Sequence, residues 1–118
     1  MKSHDLGERG EELAVRHLVS KGYTILERNW RHGKAEVDII ARHGDTLAVV
    51  EVKSRSSEDF GDPLDAVGRE KIRLLRKAIN AYVNLKGIDL EIRFDLVGVV
   101  LEDDRQRIRH LEDACYLF

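Results

Sequence analysis

The stretch AEVDIIARHGDTLAVVEVKSR, residues 35–55, constrains the fold more than any other part of the chain. Two apolar runs flank Gly44-Asp45, a dipeptide suited to a two-residue hairpin turn. Such a turn pairs His43 with Thr46. Counting back along both strands sets Ile40 opposite Val49, Asp38 opposite Glu51 and Glu36 opposite Lys53. Side chains alternate between the faces of a sheet, and directly opposed residues share a face. Asp38, Glu51 and Lys53 are therefore expected on one patch, with Glu36 beside them. A slip of one residue would scatter them, so the expectation rests on the turn.

Two carboxylates facing each other among Val and Ile side chains repel, and little water reaches them. Protonation, a nearby cation or a metal must compensate. Mg²⁺ suits such a pair, being a hard ion that takes one or two carboxylates together with waters and substrate phosphate. The Val52 carbonyl beside Glu51 is a natural further ligand. Lys53 would then orient or help deprotonate an attacking water, or stabilise charge growing on a phosphate. The D-x₁₂-E-x-K spacing fits equally a lysine that only neutralises acids in a half-exposed sheet.

The rest of the chain supplies layers for this hairpin. Asp5 to Lys21 reads as a helix closed by Gly22, a C-terminal cap. At about 100° per residue, Leu6, Leu13, Ala14 and Leu18 form one apolar stripe, which Val15 and Val19 extend. Glu11 falls inside that stripe, a carboxylate on the inward face. Strands are expected over 23–30, 36–42 and 46–54. The segment RSSEDFGDPLD is the one long loop, broken by Gly61 and Pro63. A helix from Asp65 to Lys86 follows, with Ile72, Leu75, Ile79, Tyr82 and Val83 at steps of three and four. Strands over 90–100 and 106–113 complete the order α-β-β-β-α-β-β. This order predicts one domain over residues 1–118, an α/β layer fold with a mixed sheet.

Composition narrows the partners. Twenty Lys and Arg against 22 Asp and Glu leave a net charge of −2, which argues against a general polyanion binder. Charge is uneven, however. REKIRLLRK (69–77) sets five cations against one acid, and such a local patch can meet phosphates. A solvated helix face is the plainer reading of that run. One cysteine, Cys115, permits no internal disulfide, which fits a reducing cytoplasm. No apolar run approaches the roughly 18 residues of a membrane span, and the polar start MKSHDLGERGEE does not read as a signal peptide. A cytoplasmic protein is expected. The five histidines lack zinc-ligand spacing, and no phosphate-cradling glycine motif occurs, so P-loop nucleotide hydrolysis is excluded.

Several motifs in order resemble the YraN family, also known as UPF0102. They are GERGEELAVRHLVSKGYTILERNWR, AEVDIIARHGDTLAVVEVKSRSSEDFG, KIRLLRKAINAYV and RFDLVGV, which together run nearly end to end. That family is similar to the restriction-endonuclease-like fold, whose signature is PD-(D/E)xK, and more narrowly to archaeal-type Holliday junction resolvases. The resemblance implies a three-layer fold with helices flanking a mixed sheet. It places the resolvase glutamate on Glu11, ahead of Gly22-Tyr23, the signature aspartate on Asp38, and the E-x-K pair on Glu51 and Lys53. Here Ala35-Glu36-Val37-Asp38 stands where the family has Gly-Glu-Ile-Asp, and Val37 replaces the signature proline.

The implied activity is Mg²⁺- or Mn²⁺-dependent cleavage of DNA, branched DNA in particular. Asp38, Glu51, Val52 and Glu11 would form the metal shell, with Lys53 positioning the nucleophile. A junction resolvase needs two active sites and so implies a homodimer. Lys71, which matches a family lysine, and Arg55, which follows the site strand, are expected phosphate contacts. Arg31, in the RNWR stretch around Trp30, is a third. Trp30 itself reads as packing, and Asp95 as an ion-pair partner of Arg93 or a helix cation. The rival reading is a non-catalytic nucleic-acid-binding protein within a DNA-processing complex. A purely structural protein with cross-bridged acids is the third.

Overall fold

The computed structural model of the protein describes residues 3–57 and 69–114. Its elements follow the expected order: α1 (Ser3–Ser20), β1 (Thr24–His32), β2 (Ala35–His43), β3 (Thr46–Arg55), α2 (Arg69–Lys86), β4 (Glu91–Glu102) and β5 (Arg105–Leu111). Part of the long loop and the expected first turn of the second helix, 65–68, lie outside the described residues. The five strands form one sheet in sequence order. All neighbours are antiparallel except β3 and β4, which run parallel because α2 lies in the connection between them.

The helices cover opposite faces, giving three layers. On one side Leu13, Ala14 and Leu18 of α1 pack on Ile39, Ala41, Ala48, Val50, Val97 and Val99. On the other, Ile72, Leu75, Ile79 and Tyr82 of α2 pack on Val37, Ile40, Leu47, Val49 and Leu96. Each such aliphatic side chain, once fully buried, contributes about 1.5–3 kcal/mol, so both stripes are needed to hold the sheet. Val19 departs from the expected α1 stripe, for it is 54% exposed. It sits one residue before the helix ends, where the chain turns away through Gly22, whose φ of 91° suits glycine. Trp30 packs as expected, edge-on to Tyr82 at 5.2 Å between ring centroids.

The central hairpin has the predicted register, from His43↔Thr46 through Ile40↔Val49. The ladder stops at Ile39↔Val50, one step short of Asp38 and Glu51. Just there the alternation of faces slips by one residue. Ile39 packs on the α1 side, yet Val37, two residues earlier, packs on the α2 side. In β1, Arg28 and Trp30 are the partners of Ile39 and Val37, and between them Asn29 has φ 53°. Left-handed backbone is uncommon outside glycine, and asparagine is among the residues that tolerate it best. Asn29 and Asp38 thus share one irregularity, where β2 parts from β3.

Candidate functional site

The parting of β2 and β3 creates the site. Asp38 turns its carboxylate across the gap, and Oδ2 accepts the backbone N–H of Val52 at 2.8 Å. This bond stands in for the missing ladder step. Burial and the neighbouring Glu51 carboxylate push Asp38 up to about 7, against the pull of the Val52 N–H and Lys71. Glu51 is only 4% exposed. Its Oε1 lies 2.9 Å from Lys71 Nζ and 3.9 Å from Lys53 Nζ, whereas its buried Oε2 has no hydrogen-bond partner.

Glu11 reaches the same region from α1. Asn29 Nδ2 donates to Glu11 Oε1 at 2.9 Å, and Arg28 Nη2 lies 3.5 Å from that oxygen. Burial and the Asp38 charge raise the Glu11 pKa, while Asn29 and Arg28 oppose the rise. Helix α1 comes this near because residue 10 is glycine. A Cβ on Gly10 would stand 1.8 Å from Ser54 Oγ and 2.9 Å from Ser54 Cβ.

These residues border an open cleft of about 490 Å³, lined by Glu11, Asn29, Glu36, Asp38, Val52, Lys53, Ser54 and Arg55 among others. Glu51 lies outside that lining, on the α2 side beneath the two lysines. Asp38 is the middle acid: its charge acts on Glu11, and Glu51 acts on it. Among the described residues, no three His, Cys, Asp or Glu side chains are grouped closely enough to hold a metal ion. Two carboxylates with an orphaned buried oxygen do suit a hard divalent cation that takes its remaining ligands from carbonyl and water.

The expected residues therefore divide. Glu11, Asp38, Val52, Lys53 and Arg55 meet at the cleft, and Glu51 joins Asp38 from behind it. Glu36 is not the ladder partner of Lys53. It pairs with Arg31 across β1–β2, at 3.1 Å. The cause is the same early end of the β2–β3 ladder. Arg31 is thus an exposed rim residue, tied to an acid that lines the cleft. Lys71 is held on Glu51 rather than standing free on a helix face.

Sequence reasoning assigned no role to Asn29 or Gly10. Asparagine inside a strand pattern and glycine in mid-helix were the available signals, since each is a poor choice there unless the backbone or a close neighbour requires it. The second buried acid, Asp95, pairs with Arg93 as expected, at 2.8 Å. It also meets His110 Nε2 at 2.8 Å and accepts the Asp113 N–H.

A mixed five-strand sheet between two helices, with an aspartate where two strands part and an E-x-K pair on the second of them, defines an α/β protein of the restriction-endonuclease-like class. The chain belongs to Uncharacterised protein family UPF0102, whose sequence profile matches residues 10–99. It is 54% identical to the UPF0102 protein of Flavobacterium psychrophilum over 115 residues, 98% of this chain and 97% of that one. Identity to the UPF0102 protein of Christiangramia forsetii is 47%, with the same coverage. The UPF0102 protein of Phocaeicola vulgatus is 42% identical over 113 residues, 96% of this chain and 93% of its own. No helix among the described residues is long and apolar enough to cross a membrane.

Proposed function

We propose that the protein is a metal-dependent nuclease that hydrolyses phosphodiester bonds in DNA. The observation that carries this reading is the meeting of Asp38, Glu51 and Lys53 where β2 parts from β3, beside an open cleft. A structural ion pair has no need of two acids and a cleft; an acid pair awaiting a cation and a phosphate does.

Asp38, Glu51 and the Val52 carbonyl would hold Mg²⁺ or Mn²⁺, with Glu11 completing the shell directly or through water. When bound, the cation supplies polarisation of a phosphate oxygen and lowers the pKa of water. Lys53 orients the attacking water and meets the negative charge that develops on the phosphate. Glu11, which lines the cleft, would accept the proton that the attacking water gives up. The water oxygen bonds to phosphorus as the bond to the leaving oxygen breaks, and that oxygen takes a proton from solvent to leave as the hydroxyl. Arg55, on the cleft wall, and Arg31, at the rim, would meet flanking phosphates.

Branched DNA is the favoured substrate, as in the resolvases that the motifs resemble, and two sites acting together would require a homodimer. A cytoplasmic setting accords with the lone cysteine. A second reading, a non-catalytic DNA-binding protein within a DNA-processing complex, is favoured by the burial of Glu51 beneath two lysines.

Cleavage of labelled four-way junction, flap, single-stranded and duplex DNA in Mg²⁺ or Mn²⁺ distinguishes the two. The nuclease reading expects metal-dependent products that vanish in Lys53→Ala. No products from the wild-type protein, with equal DNA binding by both proteins, would select the non-catalytic one.

A further inference from the structure

We propose that Lys71 is a resident stand-in for the divalent cation: its ammonium holds Glu51 in the cation-free protein and is released to meet the phosphate when the cation binds. The inference rests on the metal-site reading given under Proposed function and concerns what controls that site.

Lys71 lies near the start of α2, far in sequence from the hairpin, yet Nζ is 2.9 Å from Glu51 Oε1. It is the closer of the two lysines, since Lys53 Nζ is 3.9 Å from the same oxygen. With Lys71 in place Glu51 is 4% exposed and lies outside the cleft lining, so a proposed ligand is closed off. Yet the neutralisation is incomplete, because Glu51 Oε2 is buried without a partner. A point charge on one oxygen leaves the other for a ligand that can use it.

The side chain can also leave. Its exposure is 42%, and α2 is anchored by Ile72 and Leu75, so the four-carbon stem can swing without disturbing the core. Besides Glu51, Asp38 and Glu36 act on the ammonium, and both of these line the cleft. A dication entering beside Asp38 and Glu51 while two ammonium groups remain there meets like charge at short range. Loss of the Lys71–Glu51 contact relieves that repulsion. Linkage then runs both ways: removing Lys71 tightens cation binding, and binding the cation frees Lys71.

The test is calorimetric titration of the full chain with Mn²⁺ and with Mg²⁺, comparing wild type, Lys71→Gln, Lys71→Arg and Arg73→Gln. Arg73 is one turn's neighbour that pairs with Glu70, so its loss controls for one missing positive charge. Lys71→Gln is expected to bind about 10-fold tighter than wild type, while Lys71→Arg and Arg73→Gln bind as wild type does. Binding by Lys71→Gln alone would support the proposal equally. Unchanged or weaker binding by Lys71→Gln, with wild type binding, overturns this inference and leaves the metal site standing. No binding by any of the four overturns the metal site and this inference together.

A second readout follows the lysine itself. The ¹⁵Nζ resonance of Lys71 is expected to lose its ion-pair shift as Mg²⁺ is added. A resonance that stays in place while Mg²⁺ binds overturns the exchange.

Discussion

The backbone N–H of Val52 is bound by the side chain of Asp38, at 2.8 Å, where a strand neighbour's carbonyl would otherwise take it. An acid has replaced a rung of the sheet. The exchange keeps the buried N–H satisfied, at the cost of placing a carboxylate beside Glu51 in a poorly solvated gap.

That placement has a pH signature. Asp38 is raised to about 7 in the folded protein, above its ordinary value of 3.8, by burial and by Glu51. The folded state therefore holds this proton more tightly than the unfolded chain does. Its contribution to stability is complete below about pH 4 and is lost as pH rises through about 7. Asp38→Asn, measured by urea denaturation in EDTA, should become increasingly more stable than wild type between about pH 5 and pH 8. The gain at the upper end is expected on the order of 2 kcal/mol. A constant difference across the range would contradict the shift.

Glu11 depends on Asn29 for its place. The Asn29 hydrogen bond lowers the Glu11 pKa against burial and the Asp38 charge, so removing it should let that pKa rise. Asn29→Gly keeps the φ of 53° accessible and deletes only the donor. Carboxyl NMR titration should place Glu11 higher in this variant than in wild type. Asn29→Ala adds backbone strain of about 1 kcal/mol to the same loss.

Gly10 inverts a familiar rule. Glycine to alanine in mid-helix usually stabilises by about 0.5–1 kcal/mol. Here the new Cβ would lie 1.8 Å from Ser54 Oγ, so α1 or β3 must shift. Gly10→Ala is expected to destabilise by about 1–3 kcal/mol, and Ser54→Gly in the same chain to restore most of the loss. Thermal denaturation of the two single variants and the double variant forms the cycle that checks this.

Asp95 makes a contrasting prediction. Its burial alone would raise its pKa, but hydrogen bonds from His110, Arg93 and the Asp113 N–H outweigh that effect and lower it. Stability from this group is present above about pH 4 and is lost as pH falls through the lowered value. Asp95→Ala leaves the Arg93 guanidinium with only the more distant Glu112 carboxylate, at 3.8 Å, and should cost about 3 kcal/mol near neutral pH. Denaturation at about pH 7 and pH 3 should show the penalty shrinking in acid.

The sequence by itself determined the local relationships. A two-residue turn at Gly44-Asp45 set the register from His43↔Thr46 onward, because pairing outward from a tight turn leaves no freedom to slip. Helical periodicity placed Glu11 towards the sheet, and two acids with a lysine in apolar strands marked where the candidate site lies. Only the tertiary structure decided how those residues meet. The slip of faces at Asn29 and Asp38 ends the ladder early and sends Glu36 to Arg31 instead of Lys53. Lys71 reaches Glu51 because α2 packs over β2, and His110 reaches Asp95 because β5 folds back on β4. Turns and periodicity depend on neighbours a few residues apart, so they are written in any short stretch. An ion pair between distant segments depends on which surfaces pack together, and that is settled only when the whole chain buries its apolar faces.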